Sequence, residues 1–366
     1  MQPLKNKKID LNSQRLPMRK NMRYMMALEK QGRWAYKVLM RQMLLDLKRV
    51  LRYQRLTKSD APKLRGGWTS KSPTIELDLN GRISQVVGRY LEGLRWTLIG
   101  DSAGPEAIKV AKETGLRGKV TPGLLQNSYL HSIDAQRDYF ERLFGKQPTH
   151  IPKELVMESL DKIVERTNRY LDETIARLRN DVIKSVERVQ DFTNYTSQLD
   201  TAKEMHKMLN DPSETEASLK KIGKQREAVA SKARLDRELR LAVKNFETSW
   251  DRTVRGEIGL SSAAGTHQSM TEIYAGSDDD VRVVWLTMED SRVSKFCHHA
   301  SFNSDGTYKL YKLSDLKPSG WNVGRKADQW ELCIPPAHPN CRSTLVYVPR
   351  GFRVEKGGTI VPDTAA

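Results

Sequence analysis

The feature that most constrains the fold is a mostly apolar stripe that runs from Leu160 to Val189 at helical spacing. Its members lie three or four residues apart: Leu160, Val164, Thr167, Leu171, Ile175, Leu178, Val182, Val186 and Val189. The mean interval is close to the roughly 3.6 residues per turn of a straight helix. We therefore predict one helical rod of about 50 residues from Ile151, which must bury this stripe against another helix.

The composition agrees with an extended helical protein. Of the 366 residues, 38% are hydrophobic and 29% are charged, which suits long helices whose outer faces meet water or a partner. A chain of this length also exceeds what a single core usually holds. We predict a mainly α fold whose elongated first two-thirds consists of long helices, followed by a small α+β module.

Residues that start and stop helices mark shorter elements. Pro105 and Gly115 bracket one predicted helix, and a second is predicted within Thr121–Gly145. The stretch before them breaks the helical pattern and predicts a loop with a short strand at Thr74–Leu79.

A second charged helix is predicted after the rod. Ser213 and Glu216 have the spacing of a capping box. The helix that follows is predicted to end near Gly256, because glycine commonly terminates helices.

The chain changes character after the stretch YAGSDDD. The segments VRVVWLT and STLVYV are rich in β-branched residues and predict two strands. We divide the chain into a basic amphipathic helical arm (1–66), a helical domain (67–280), a small Cys/His-containing α+β module (281–350, the C-terminal module) and a tail (351–366). The tail is too short for a further domain.

Most of the net charge of +17 lies in residues 1–66, which hold 18 Lys and Arg against four Asp and Glu. Apolar residues recur at helical spacing from Met18 to Leu56, so one or two basic amphipathic helices are predicted. Such a segment can pack on a neighbouring helix, bind DNA or a protein partner, or lie on a membrane. The candidate cations for nucleic acid or a partner are Arg15, Arg19, Lys20, Arg23, Arg41, Lys48, Arg49, Arg52 and Arg55.

Membrane spans and secretion are not indicated. No run approaches the roughly 18 consecutive apolar residues that a membrane span needs, and the basic start has no apolar stretch behind it. Three cysteines, an odd number, fit a reducing compartment better than a disulfide framework. We expect a protein that is made and assembled in a cytoplasm.

All three cysteines and three of the seven histidines lie in the C-terminal module. A module this small has difficulty burying enough apolar surface, and a structural zinc ion is a usual remedy in a reducing compartment. His338 and Cys341 have the spacing of a tight chelating turn, and Cys297 would be the third ligand from another loop. The fourth ligand is open between Cys333 and His298.

The same cysteines and histidines also fit two arrangements without zinc. A hydrogen-bonded core is the first, since buried free cysteines are common. A Cys–His nucleophile pair is the second, but the sequence offers no phosphate-binding glycine loop, H-E-x-x-H motif or paired carboxylates. We therefore expect no enzyme activity.

The motifs of this module resemble a known signature. Trp285, Thr287, Asp290, Arg292 and Cys297 fit W-x-T-x-x-D-x-R-x-C-x-x-C, except that Ser294 stands at the first cysteine. The closing stretch PPAHPNCR, from Pro335 and Pro336 through Pro339 to Arg342, fits P-P-x-H-P-x-C-R. Together they resemble the carboxy-terminal signature of the bacteriophage head morphogenesis family, the Mu F-like minor head proteins.

An upstream match is weaker. The family tends to carry R-T-E in a helix before the module, and Arg255 and Glu257 stand at a similar place. The simpler prediction for these two residues is an intrahelical charge pair. The resemblance covers Arg255 to about Pro349 and leaves the helical two-thirds unmatched.

The resemblance implies a structural protein of a tailed phage. Members are minor head proteins, present in few copies near the portal, where DNA enters the head, and they act in procapsid assembly. The implied partners are the portal protein, the major capsid protein and packaged double-stranded DNA, with no membrane. The implied location is the virion, after assembly in the bacterial cytoplasm. The alternatives are a nucleic-acid-binding zinc protein that acts independently and a phage Cys–His hydrolase.

Overall fold

The structure is a computed structural model of the chain, and most of the residues that it describes are helical. It describes residues 9–59, 73–145, 147–148, 150–210, 216–274, 281–288, 292–338 and 341–363, with the side chains at 9, 12–19, 52–59, 73–79, 189–210 and 216–232 left out. The predicted mainly α fold with a small α+β module is confirmed. The capping box of Ser213 lies outside the described residues.

In the described ranges, six α-helices build the body of the molecule, and a short seventh lies in the C-terminal module. They are α1 (Leu11–Ser59), α2 (Pro73–Ile99), α3 (Pro105–Glu113), α4 (Leu124–Phe144), α5 (Lys153–Asn210), α6 (Glu216–Tyr274) and α7 (Lys295–Ser301). Helix α6 packs against α1, α4 and α5, and α2 packs against α1, α3 and α5. None of the helices in the described ranges combines the length and apolar character that a membrane span requires.

The predicted rod is confirmed as α5, a single helix of 58 residues. Leu160, Leu171, Leu178 and Val182 of its stripe are buried, and the polar Thr167 is buried with them. The stripe therefore faces the body, in contact with α6 and α2.

Two predictions of secondary structure were wrong. The segment Thr74–Leu79, predicted as a strand, belongs to α2, where Pro73 starts the helix and a buried face continues at helical spacing through Ile83 and Val87. Helix α6 does not end at Gly256 but continues to Tyr274.

Two glycines of α6, Gly259 and Gly265, are packing positions. A Cβ atom on Gly265 would lie 2.4 Å from the carbonyl oxygen of Tyr129 in α4. A Cβ atom on Gly259 would lie 3.2 Å from Pro336 of the C-terminal module. These close approaches override the low helix propensity of glycine.

The described part of α1 is integral to the body. Leu28, Leu39, Met43 and Leu47 are buried in a core shared with the other helices. The Nε1 atom of Trp250 in α6 donates to the carbonyl oxygen of Gly32 in α1 at 3.1 Å. The predicted packing of this amphipathic helix on its neighbours is thus present over these residues.

The C-terminal module contains a three-stranded antiparallel sheet in the order β3–β2–β4. Its strands are β2 (Arg282–Leu286), β3 (Leu310–Lys312) and β4 (Thr344–Tyr347). Strands β2 and β4 are the two that the sequence predicts, and they pair directly, with Trp285 opposite Leu345.

The residues predicted as a tail are largely ordered. Strands β5 (Phe352–Val354) and β6 (Thr359–Pro362) form a hairpin. Strand β6 also pairs with β1 (Ile9–Asp10), the strand that immediately precedes α1. This pairing joins segments from the two ends of the chain.

Candidate metal centre

The first half of the site is the start of α7. The hydroxyl of Ser294 accepts a hydrogen bond from the backbone N–H of Cys297 at 3.1 Å and so caps the helix. This cap fixes Cys297 in the first turn, where its side chain is buried.

The second half is the proline-rich turn. The Pro335–Pro336 peptide bond is cis, and Ala337 after it is buried. The backbone N–H of Cys341 donates to the carbonyl oxygen of His338 at 3.0 Å, which closes the turn that the H-x-x-C spacing predicts.

The two halves bring Cys297, His338 and Cys341 together, as the sequence predicts. Their ligand atoms all lie within 4.8 Å of one another, and we call this set the Cys–His cluster. Cys297 Sγ lies 3.7 Å from Cys341 Sγ and 3.1 Å from His338 Nε2. The three cysteines are free thiols.

The donor set fits a zinc ion. Two Zn–S bonds of about 2.3 Å at a tetrahedral angle place the sulfur atoms about 3.8 Å apart. The observed separation of Cys297 and Cys341 is 3.7 Å, close to that edge. The Cys–His cluster can therefore hold a metal ion.

The electrostatics of the cluster also favour a cation. The hydrogen bond with Cys341 is the largest influence that lowers the pKa of Cys297 to about 4, and those with His338 and Ser294 act in the same direction against burial. The hydrogen bond to Cys297 and burial raise the pKa of Cys341. The lowered pKa favours the thiolate form of Cys297, and thiolates are the form that binds metals.

The two candidates for the fourth ligand are not in the cluster. Cys333 is fully buried, and its sulfur accepts a hydrogen bond from Asn322 at 3.5 Å. Burial raises the pKa of Cys333 to about 11, which keeps it a thiol. His298 is exposed and lies against Phe302, with 5.1 Å between ring centroids.

The contacts of two neighbours of the cluster were not predicted from the sequence. Ser294 Oγ lies 2.8 Å from His338 Nε2, although the sequence marked Ser294 only as the residue that stands where the signature has its first cysteine. The ring of Trp330 stacks on His338, with 5.0 Å between centroids and 12° between planes. The N-cap spacing of Ser294 before Cys297 was a usable signal, whereas nothing in the sequence marked Trp330.

The other residues of the signature have structural positions. Trp285 and Thr287 are buried at the end of β2, and Arg292 is exposed. Asp290 and Pro339 lie outside the described residues.

Arg255 and Glu257 do not form the predicted intrahelical pair. Arg255 Nε lies 3.4 Å from Glu29 of α1. Glu257 accepts from Arg166 of α5 at 2.9 Å and from Thr167 at 3.2 Å. Both residues therefore tie α6 to neighbouring helices.

The predicted cations of α1 divide into three groups. Lys20, Arg23 and Arg41 are exposed, whereas the side chains of Arg15, Arg19, Arg52 and Arg55 lie outside the described residues. Lys48 and Arg49 are engaged in salt bridges, with Asp236 at 2.8 Å and Asp46 at 2.9 Å.

An exposed basic face nevertheless runs along α1. It consists of Lys20, Arg23, Lys30, Lys37 and Arg41, all exposed and at helical spacing, and we call it the basic face. None of the five forms a salt bridge with another described residue. Trp34, which the sequence analysis did not single out, lies between them with 39% of its surface exposed.

Searches of protein families, of curated proteins and of solved structures gave no match to this chain.

Proposed function

We propose that the chain is a non-enzymatic minor head protein of a tailed bacteriophage. In this role it binds the portal and the inner capsid where DNA enters the head, acts in procapsid assembly and is present in several copies per virion. One observation carries the proposal: the signature residues Trp285, Cys297, His338 and Cys341 belong to one small folded module whose cluster ties two distant loops together.

The attachment of the C-terminal module to the helical body supports a scaffold. A Cβ atom on Gly259 of α6 would lie 3.2 Å from Pro336 of the module. A Cβ atom on Gly320 of the module would lie 3.0 Å from Leu260 of α6. Tyr274 of α6 stacks on Tyr347 of β4, with 3.8 Å between centroids. A module held this closely by long helices is suited to transmit position and load in an assembly.

The long helices would let the protein contact partners that lie far apart. Helix α5 has 58 residues, so at a rise of about 1.5 Å per residue it extends about 87 Å. Its outer face carries charged pairs such as Glu165 with Arg169 and Glu173 with Arg177. Such a surface can lie along a portal or an inner shell while remaining in water.

The metal is proposed to be a structural zinc ion. Cys297, His338 and Cys341 would hold it, with two thiolates and one neutral imidazole as ligands. When bound, the ion would cross-link the start of α7 to the proline-rich turn. That cross-link would stabilise a module with short strands and little core of its own.

The basic face is proposed to contact packaged double-stranded DNA. Its five cations lie on one side of α1, and phosphate contacts by Lys and Arg give affinity without sequence specificity. Binding to an acidic surface of the portal would use the same charges.

Phage particles test the proposed function. Quantitative mass spectrometry of purified procapsids and mature particles, from the phage that encodes the chain, is expected to find several copies per particle. Cross-linking is expected to join the chain to the portal protein. Normal assembly of infectious heads from a phage that lacks the gene, together with absence of the chain from all particles, would contradict the proposal.

A Cys–His hydrolase is the alternative that one observation favours, the 3.1 Å contact between Cys297 Sγ and His338 Nε2. Replacing Cys297 by Ala separates the two functions. Unfolding of the C-terminal module in C297A supports the structural role. Loss of hydrolysis of an ester or peptide substrate, with the module still folded, supports the enzyme.

A further inference from the structure

We propose that Ser294 stands beside the fourth position of the metal site as a weak donor that water or another ligand can displace, so that the chain has an open Cys2His site in place of a closed four-ligand site. This inference rests on the zinc binding proposed above. Closed structural zinc sites have four protein ligands, whereas a site with three strong ligands keeps a position for water or another exchangeable donor.

The position of Ser294 is fixed by its neighbours. Its hydroxyl lies 2.8 Å from His338 Nε2 and accepts from the backbone N–H of Cys297 at 3.1 Å. It thus contacts one ligand directly and the backbone of another. It is a polar side chain from the α7 half of the site that reaches a ligand of the proline-rich half.

The two other candidates for the fourth ligand, Cys333 and His298, lie outside the Cys–His cluster. Cys333 lies in a different part of the loop, where Lys317 and Ile334 form a backbone hydrogen bond and Asn322 contacts the sulfur. His298 follows Cys297 directly in α7, so its side chain is rotated by about 100° around the helix axis. Its ring packs on Phe302 and is exposed.

A serine hydroxyl differs chemically from the cysteine that it replaces. It is neutral at physiological pH and is a weaker donor to zinc than a thiolate. Two thiolates balance the charge of Zn²⁺, and the remaining position can take water, a thiol or an imidazole from solution or from a partner. We therefore expect this zinc ion to exchange readily with chelators.

The experiment uses the full chain and four proteins: wild type, S294C, S294A and C333S. Zinc affinity is measured by competition with a chromogenic chelator, and Co²⁺ substitution reports the number of thiolates from the sulfur-to-cobalt charge-transfer band. Circular dichroism confirms that each variant is folded. C333S controls for the loss of a cysteine outside the cluster, and S294A controls for the loss of the hydroxyl alone.

The expected results are distinct for each variant. S294C should bind zinc at least about tenfold more tightly, and its charge-transfer band should rise by about half because a third thiolate joins two. S294A should bind zinc about tenfold more weakly, as expected when a positioning hydroxyl is lost. C333S should match the wild type, and added imidazole should change the Co²⁺ spectrum of the wild type but not of S294C.

Three outcomes would overturn the inference. A smaller charge-transfer band in C333S would make Cys333 the fourth ligand. An unchanged affinity and spectrum in S294C would remove residue 294 from the site, and if S294C does not fold, unchanged binding by S294A would do the same. A wild type that binds neither Zn²⁺ nor Co²⁺ would remove the metal site but leave the head function, which is tested on particles.

Discussion

The hydroxyl of Tyr139 in α4 donates to the carbonyl oxygen of Tyr347 in β4 at 3.0 Å, and both residues are buried. Burial raises the pKa of Tyr139, which keeps the phenol protonated and able to donate. Tyr274 stacks on Tyr347 in the same region, with 3.8 Å between ring centroids. The joint between the helical body and the C-terminal module is therefore a buried tyrosine cluster with a hydrogen bond across it.

The first prediction concerns this joint. Tyr139→Phe removes the donor and leaves a buried carbonyl oxygen without it, so we expect a loss of about 1–3 kcal/mol in the free energy of unfolding. Urea unfolding followed by tryptophan fluorescence measures this loss. Tyr170→Phe is the control, because Tyr170 is 41% exposed and Thr253, which donates to its hydroxyl, also donates to the carbonyl oxygen of Ser249. This replacement should cost at most about 0.5 kcal/mol. Equal losses in the two variants would mean that the Tyr139 contact does not stabilise the joint.

The second prediction concerns the crossing of α4 and α6. Gly265→Ala places a Cβ atom 2.4 Å from the carbonyl oxygen of Tyr129, so the helices must separate, at a cost of about 1–3 kcal/mol. Gly256→Ala is the matched control in the same helix, since a Cβ atom there meets nothing within 4 Å. The control should gain up to about 1 kcal/mol from helix propensity. Thermal unfolding of both variants checks the opposite signs.

The third prediction concerns pH. Burial, and then the hydrogen bond to Asp46, raise the pKa of Tyr90 to about 12. The folded state favours the neutral phenol, so this contribution to stability is complete below the unfolded pKa of about 10 and is lost as the pH rises to about 12. Unfolding free energies of wild type and Tyr90→Phe, measured from about pH 9 to about pH 12, should therefore converge on the alkaline side. A constant difference across that range would contradict the shift.

The fourth prediction concerns the basic face. Replacing Lys20, Arg23, Lys30, Lys37 and Arg41 by Ala should weaken binding to double-stranded DNA and reduce its salt dependence. Each lost phosphate contact should reduce the slope of log K against log salt by about 0.9. Fluorescence anisotropy with a labelled duplex at several salt concentrations measures both effects.

The control for that experiment removes cations from α5. Arg169 and Arg177 are exposed and paired with Glu165 and Glu173 in their own helix. Their replacement by Ala should leave the DNA affinity and its salt slope unchanged. If both sets of substitutions weakened DNA binding equally, the DNA would be attracted by the net charge of the protein and not by the basic face.

The sequence predicted what depends on local, repeated signals. Helix α5 was predicted because its stripe repeats over many turns, and the pairing segments β2 and β4 were predicted because β-branched residues cluster in them. The end of α6 was predicted wrongly. Gly256 carries the local signal of a helix end, but the helix continues because Gly259 and Gly265 beyond it pack closely on neighbouring elements. The prediction of a strand at Thr74–Leu79 was wrong because the preference of its β-branched residues for strands is weaker than the context of α2, to which the segment belongs.

The candidate site shows the same division. Cys297, His338 and Cys341 could be predicted because few residue types bind zinc and the H-x-x-C spacing is chelating. The role of Ser294 depends on a contact across 44 positions of the chain, between loops whose arrangement only the fold fixes. Lys48 was assigned to a partner surface because its own partner, Asp236, lies 188 positions away.

The pairing of β1 with β6 has a mechanical consequence. Ile9 lies opposite Ile360, and the N–H of Leu11, the first residue of α1, donates to the carbonyl oxygen of Gly358 at 2.6 Å. Tension applied along α1 would therefore be carried by this short ladder into the β5–β6 hairpin. When the molecule is stretched, the β1–β6 pairing should break before the packing between the long helices is disrupted.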